Sequence, residues 1–128
     1  MTTPTTTWTS DDLAAIETTD ELRLAPRRRD ASLATARTVW AVRVGDDLFV
    51  RSVNGLSAAW YRGVQERHQG HVQAAGVSRD VVFEDVGSKL DDQIDAAYRS
   101  KYRRHAASTL DRITSRQARS TTIRVRPE

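Results

Sequence analysis

The residues of this chain best suited to chemistry lie between positions 37 and 62, a stretch that combines arginines with serines and tryptophans. In its middle, Arg51 precedes a short loop that contains Gly55, and a helix is predicted to begin at Ser57. Free amide groups at a helix N-terminus and the guanidinium group of arginine both favour phosphate, and glycine lets the backbone come close to a ligand. The pattern predicts a binding site for an anionic small molecule and indicates no particular reaction.

Eight residues make up this predicted site. Arg37 lies on the strand next to that of Arg51, so the two guanidinium groups can meet on one face, although both also fit a solvated surface. Trp60 follows Leu56 by four residues and precedes Val64 by four, a spacing that favours the core over stacking on a ligand ring. The predicted cofactor contacts are Arg37, Arg51, Ser52, Asn54, Gly55, Ser57, Trp60 and Arg62.

Other chemistries have weaker support in the sequence. His68 and His71 are three residues apart, but Gly70 breaks the helix between them, and a closed metal site needs three or four ligands. We therefore predict no metal site. The acidic pairs at 46–47 and 91–92 are better explained by a turn and by the first turn of a helix. No G-x-S-x-G elbow, Walker loop or G-x-G-x-x-G fingerprint is present, so the sequence predicts no serine hydrolase and no P-loop or dinucleotide fold.

The overall composition indicates one globular domain. A chain of 128 residues with 38% hydrophobic residues suffices for a single core. We expect a disordered tail over residues 1–7 and one domain over residues 8–128. No apolar run approaches the roughly 20 residues that span a bilayer, and the N-terminus has no signal-peptide pattern. With no cysteine, disulfides and thiolate catalysis are excluded, and we expect a cytoplasmic protein without membrane contact.

The net charge of +3 is concentrated near the C-terminus. Basic residues there can attract nucleic acid, and Tyr98 and Tyr102 could stack on single-stranded bases. A solvated face is the favoured interpretation, and the helical spacing of the two tyrosines makes them core residues first. The basic residues concerned are Arg99, Lys101, Arg103, Arg104, Arg112, Arg116 and Arg119.

The apolar pattern predicts a mainly β protein with some α-helix (α+β). The run from Val39 to Val42 is apolar on both faces, as in a buried strand. Because the predicted strand connections are short, most pairs must be antiparallel, and six short strands close most economically into a small barrel. The predicted strands are 21–28, 35–44, 48–53, 71–75, 78–86 and 121–125, the predicted helices are 9–18, 57–70 and 88–104, and residues 106–118 remain ambiguous.

Several caps and pairs are predicted along these helices. Ser57 and Ser88 are predicted N-caps, and Gly70 is a predicted C-cap. Asp95 and Arg99, four residues apart, are predicted to pair on the last long helix.

Three segments carry a resemblance to known proteins. The segments WTSDDLAAI, TVWAVRVGDDLFVRSVNGLSAAWYRG and DAAYRSKY resemble a bacterial family of small proteins, domain of unknown function 2255. That family is similar in pattern to the flavin-reductase-like split barrels, which include pyridoxamine-phosphate oxidases and deazaflavin-dependent nitroreductases.

The resemblance implies a six-stranded antiparallel split β-barrel with about three flanking helices, and usually a homodimer. It implies flavin mononucleotide (FMN) or a deazaflavin at the subunit interface, and possible oxidoreductase activity. By position, Arg37, Arg51, Ser52 and Ser57 would hold the phosphate, with Trp60 and Arg62 nearby. Two alternatives stay open: a non-catalytic barrel that binds another ligand or a partner and has lost the cofactor, and a nucleic-acid-binding module.

Overall fold

The computed structural model describes residues 7–128, which form seven strands and five α-helices. This mixed architecture around a nearly closed antiparallel barrel confirms the predicted fold class. The predicted tail 1–7 lies outside the described residues except for Thr7. The elements are α1 (Ser10–Glu17), β1 (Leu22–Pro26), β2 (Arg37–Val39), β3 (Ala41–Val44), β4 (Asp47–Val50), α2 (Ala59–Arg67), β5 (Gln69–Ala74), β6 (Val77–Asp85), α3 (Asp91–Lys101), α4 (Ala107–Ile113), α5 (Arg116–Arg119) and β7 (Ile123–Pro127).

All seven strands belong to one antiparallel sheet in the order β2-β1-β5-β6-β7-β4-β3. Strands β2 and β3 are neighbours in sequence but lie at opposite edges, because β2 pairs with β1 whereas β3 pairs with β4. A single residue, Trp40, separates them. The chain therefore passes from one edge of the sheet to the other at Trp40, and this connection leaves the barrel nearly closed.

The prediction of one strand over residues 35–44 is wrong, because Trp40 leaves the ladder. The Trp40 ring stacks on Tyr102, with 4.0 Å between ring centroids and 7° between ring planes. The Trp40 carbonyl accepts a hydrogen bond of 2.8 Å from the Tyr98 hydroxyl. Both tyrosines belong to the α3 region, so this helix fixes the bend and the six predicted strands become seven.

Two apolar clusters contain most of the buried hydrophobic side chains. The first fills the barrel and includes Trp8, whose indole Nε1 donates to the Val125 carbonyl at 2.7 Å. Thr9 caps α1, because its side chain accepts a hydrogen bond from the Asp12 amide. The second cluster lies between strands β3 and β4 and helices α3 and α4. Its buried members are Val42, Phe49, Ile94, Tyr98, Tyr102, Leu110 and Ile113.

The α3 region carries an apolar stripe in which Ile94, Tyr98 and Tyr102 are fully buried, and this confirms the two tyrosines as core residues. Helix α3 begins at Asp91 rather than at Ser88, because Ser88–Leu90 form a 3-10 turn that has no side-chain cap. The ambiguous segment 106–118 contains helices α4 and α5. Among residues 7–128, no helix combines the length and the apolar character needed to cross a membrane.

Helix α2 begins and ends differently from its prediction. It starts after Ala58, and Ser57 is no cap because its hydroxyl donates to the Asn54 carbonyl at 3.1 Å. It ends at Arg67, where His68 takes the left-handed conformation (φ 57°) that was expected of Gly70.

Gly70 lies inside β5, where two strands approach closely. A Cβ atom built on Gly70 would lie 2.4 Å from the Ala25 carbonyl oxygen and 2.8 Å from the Phe83 ring. At Gly87, by contrast, a Cβ atom would meet nothing within 4 Å. Gly70 is therefore required by packing across the sheet.

We predict that Gly70→Ala lowers the free energy of unfolding by about 3 kcal/mol, because the added methyl group displaces backbone and an aromatic ring. The control Gly87→Ala should stay within about 1 kcal/mol of the wild type. Urea denaturation of both variants measures the difference. Equal stability of the two variants would contradict the tight approach at Gly70.

Candidate functional site

A cavity of about 510 Å³ lies between β2, the loop after β4 and the start of α2; we call it the β4–α2 cavity. The structure brings five of the eight predicted site residues to it. The lining is Arg37, Thr38, Val39, Trp40, Arg51, Ser52, Val53, Asn54, Ala58, Ala59, Trp60, Thr109 and Ile113.

The other three predicted residues lie outside this lining. Gly55 is buried with φ 69°, and a Cβ atom there would lie 2.4 Å from the Gln117 side chain. Ser57 lines a neighbouring polar groove, and Arg62 lines a further groove that lies farther along α2. The loop is held in place by Arg112, which donates to the Asn54 side-chain oxygen at 2.8 Å.

Arg51 lines the cavity, but its hydrogen-bond donors are already engaged by protein. The side chain has 0% exposure. Nε donates to Thr122 Oγ1 at 2.9 Å, and Nη1 donates to Asp95 Oδ1 at 2.5 Å and to the Ile113 carbonyl at 3.2 Å. Nη2 lies 3.5 Å from an Asp91 carboxylate oxygen. Arg51 therefore joins β4 to the helices behind it and shapes the wall of the cavity.

Asp95 is the principal counter-charge of this buried arginine. It also binds Arg119, so one carboxylate serves two guanidinium groups. Burial disfavours its ionised form, but the hydrogen bonds from Arg119 and Arg51 outweigh burial and hold the pKa of Asp95 below its usual 3.8. The predicted pair between Asp95 and Arg99 is wrong, because Arg99 instead binds Asp111 at 3.1 Å.

Ser52 carries the clearest mark of a ligand site. It is only 1% exposed, and its amide donates to Thr121 Oγ1 at 2.8 Å. Its buried hydroxyl has no hydrogen-bond partner within residues 7–128. Leaving a buried hydroxyl unpaired costs about 1–3 kcal/mol. Ser52 contributes to the wall of the β4–α2 cavity, and a polar ligand atom within hydrogen-bonding distance of its hydroxyl would satisfy that group.

Helix α2 begins at the cavity without a side-chain cap. Its N-cap residue is Ala58, and no acceptor for the amides of Ala59, Trp60 and Tyr61 occurs in the described part of the chain. Ala58, Ala59 and Trp60 all line the cavity. Unsatisfied amides and the helix dipole give this wall a partial positive charge.

Arg37 adds a full positive charge. It is exposed on the edge strand β2, on the face shared with the buried Val39, and therefore lies at the barrel mouth. Its side chain makes no hydrogen bond or ion pair with any residue from 7 to 128. The β4–α2 cavity thus combines an available guanidinium group, an unpartnered buried hydroxyl and an uncapped helix N-terminus, an arrangement that suits an anion.

Aromatic side chains form the apolar part of the cavity. Trp60 is half-buried, packs against the barrel core and meets Tyr61 edge-on at 6.1 Å. Trp40 was not predicted as a site residue. The only signal was that Trp40 lies in the run from Val39 to Val42, where apolar residues do not alternate with polar ones. Thr109 and Ile113 come from α4 in the ambiguous segment, where no local pattern indicated a cavity wall.

The histidines form polar contacts rather than a metal site. His68 binds Asp85 at 3.0 Å. His71 lies 2.9 Å from both Asp80 and Ser78, a Ser-His-Asp arrangement across the β5–β6 hairpin that the sequence motifs did not indicate. These three residues lie on the outer surface, away from the β4–α2 cavity. No cluster of three metal-binding side chains exists within the described residues.

Four of the seven basic C-terminal residues have side-chain partners within the described residues. Arg119 binds Asp95 and Arg99 binds Asp111, while Arg112 bonds to the loop residue Asn54. Lys101 donates to the Ile16 and Ala41 carbonyls, and burial lowers its pKa to about 8. The structure therefore offers less unpaired charge for nucleic acid than the sequence suggested.

We predict that Asp95→Asn destabilises the protein by about 3–5 kcal/mol, since it leaves buried Arg51 without its main counter-charge. The control Asp111→Asn removes a solvent-exposed partner of Arg99 and should cost less than about 1 kcal/mol. Chemical denaturation at neutral pH measures both changes. If Asp95→Asn costs no more than the control, Arg51 does not depend on this carboxylate.

The stability difference between wild type and Asp95→Asn should shrink in acid. Because the folded pKa of Asp95 is lowered, its stabilisation is present above the ordinary value of 3.8 and is lost as the pH falls through the folded pKa. The gap measured at about pH 7 should therefore narrow at about pH 3 or below. A gap that is constant over this range would show that ionisation of Asp95 does not stabilise the fold.

Similar solved structures share this fold. HutZ, the heme storage protein from Vibrio cholerae, matches with a TM-score of 0.68 and 16% identity, over 93% of this chain and 89% of that one. A putative pyridoxamine 5'-phosphate oxidase from Listeria innocua matches with a TM-score of 0.54 and 12% identity, over 91% and 88%. An FAD and heme binding protein from Mycobacterium smegmatis matches with a TM-score of 0.52 and 15% identity, over 96% of this chain and 67% of that one.

These neighbours are split-barrel proteins; two of them are named for heme or for FAD and heme, and the third is named as a putative pyridoxamine 5'-phosphate oxidase. At such low identity they show the fold alone. No curated protein sequence matches the chain significantly. A family model described as "Uncharacterized protein conserved in bacteria" (DUF2255) matches residues 12–125. Since this match covers most of the chain, the protein belongs to the DUF2255 family.

Proposed function

We propose that this protein binds a flavin-type cofactor, FMN or a deazaflavin, in the β4–α2 cavity and holds it by its phosphate. The buried, unpartnered hydroxyl of Ser52 is the observation that carries the proposal. Arg37 and the uncapped start of α2 supply further donors at the same cavity. A phosphate accepts hydrogen bonds from all three and neutralises the local positive charge.

The lining also fits the ring system of such a cofactor. Trp40 and Trp60 provide planar apolar surface, and the cavity of about 510 Å³ falls within the usual range for small-molecule sites. Arg51 would act as a positioning residue, because its donors are engaged by protein.

The same lining favours a flavin over heme, the group named for two of the similar structures. Heme iron takes an axial ligand such as histidine, cysteine, methionine or tyrosine. None of the residues that line the β4–α2 cavity belongs to these types. A flavin needs no metal ligand, and its requirements match the donors and aromatic surfaces that are present.

An oxidoreductase role follows if the cofactor binds. A bound flavin or deazaflavin supplies hydride chemistry, while the protein supplies phosphate binding, orientation and shelter from water. The described residues that line the cavity contain no acid or histidine to exchange a proton, so the proposed contribution of this chain is binding and orientation. We further propose that the protein is a homodimer, in keeping with the usual arrangement of split barrels.

Arg37→Ala should weaken FMN binding by about tenfold, or 1.4 kcal/mol, because it removes a charged contact to the phosphate. Riboflavin lacks that phosphate, so its affinity should not change. Fluorescence titration of wild type and Arg37→Ala with both ligands gives the comparison. Ser52→Ala should also weaken FMN binding, without the loss of stability expected from removing a satisfied buried hydrogen bond.

Arg23→Ala is the matched control, since Arg23 is an exposed arginine on the adjacent strand β1 that does not line the cavity. It should bind FMN like the wild type. If Arg37→Ala weakens riboflavin and FMN equally, the phosphate is not held by Arg37. If wild-type protein binds neither FMN nor a deazaflavin, the proposed function is wrong and a cofactor-free barrel is favoured.

A further inference from the structure

The β4–α2 cavity does not end at Trp60 but continues along α2. A narrow passage of about 180 Å³ shares Arg37, Ala59 and Trp60 with the cavity. The passage then shares Arg28, Ala34 and Gly63 with a larger groove of about 730 Å³. These shared lining residues place the cavity, the passage and the groove next to one another along α2.

That second site is basic, and we call it the arginine groove. Four arginines line it, Arg27, Arg28, Arg29 and Arg62, against the two carboxylates Asp30 and Glu66.

Only one of the four arginines has a carboxylate partner within residues 7–128, namely Arg27, which binds Asp80 at 3.2 Å. Arg28 donates to the Ser32 hydroxyl and to the Leu33 carbonyl, which are neutral acceptors.

The two carboxylates of the groove do not neutralise the positive charge of its arginines. Asp30 accepts hydrogen bonds from the amide and the hydroxyl of Ser32, at 3.0 and 2.6 Å, and so stabilises its own turn. Glu66 lies one helical turn after Arg62 on α2 but forms no ion pair with it at 4.0 Å or less. A groove lined mainly by one sign of charge concentrates ions of the opposite sign.

We infer that the arginine groove is a second anion site for the same ligand, so that the cofactor is a dinucleotide rather than a mononucleotide. This inference rests on the proposed function and extends it. The two phosphates of a dinucleotide share one oxygen. In this proposal the first phosphate lies at Arg37 and the start of α2, the second lies in the passage beside Arg28, and the nucleoside continues towards Arg62. The exposed guanidinium planes of Arg28 and Arg29 can stack on a base or contact a phosphate.

The passage has the shape that this extension requires. Pro26, Ala34, Ala59 and Gly63 are small or rigid, and they leave room beside Trp60. A Cβ atom at Gly63 would lie 3.1 Å from the Pro26 ring, so α2 packs tightly on β1 beneath the path. The passage is therefore rigid, and exposed arginines lie at the end away from the cavity. This arrangement favours one extended ligand over two separate ligands.

The test compares FMN with flavin adenine dinucleotide (FAD) on the full-length protein. Wild type should bind FAD about fivefold more tightly than FMN, the size of one solvent-exposed charge pair. Arg62→Ala should remove this preference and leave FMN affinity unchanged. Arg104→Ala is the control: it removes the same charge from an exposed site after α3, and it should keep the preference. Arg62 makes no side-chain contact by hydrogen bond or ion pair within residues 7–128, so its loss should not affect folding.

The outcomes separate the two proposals. FMN binding that depends on Arg37, without any preference for FAD, overturns the second anion site and leaves the proposed function intact. A preference for FAD that survives Arg62→Ala also overturns the arginine groove. Absence of binding by both ligands overturns both proposals. Loss of the preference in Arg62→Ala alone, and its decline with rising salt, supports the extended site.

Discussion

The structure depends on the burial of one guanidinium group. A charge removed from water is stable only where partners replace the lost hydration. Arg51 meets this demand with Asp95 on α3, the Ile113 carbonyl on α4 and Thr122 just before β7. These contacts fix three segments against the end of β4. They also place α4 at the wall of the β4–α2 cavity, so a structural ion pair determines where a ligand site can exist.

Sequence reasoning succeeded where the signal was local and repeated. Alternation located the barrel strands, and the stripe of Ile94, Tyr98 and Tyr102 identified the buried face of α3. It failed at Trp40, where stacking on a helix some 60 residues later overrides strand propensity. It also failed at helix starts, because the hydroxyl of Ser57 bonds back to Asn54 and leaves the cap to Ala58. These outcomes depend on tertiary contacts that no short window contains.

The candidate site was predictable to a similar degree. The motif of strand, loop and helix indicated a segment that borders a cavity, and five of the eight predicted residues line that cavity. The sequence could not show that the Arg51 side chain is bound by other protein groups whereas that of Arg37 is free to bind a ligand. The difference comes from Asp95, which lies more than 40 residues after Arg51. The sequence also could not show that Thr109 and Ile113 of α4 line the β4–α2 cavity. Adjacent residues can thus have opposite roles, with Arg51 satisfied by protein and Ser52 left without a partner.

The difference between the satisfied Arg51 and the unpartnered Ser52 helps to distinguish a barrel that binds a cofactor from one that does not. An arginine at position 51 has a structural use of its own, because it supplies one of the two guanidinium partners of Asp95 and a hydrogen bond to Thr122. Its presence is therefore weak support for a ligand. The Ser52 hydroxyl and the uncapped start of α2 have no such structural use, and the buried hydroxyl costs stability unless a polar group binds there. Polar groups that the fold leaves unsatisfied, rather than charged groups as such, are the stronger indication of a binding site.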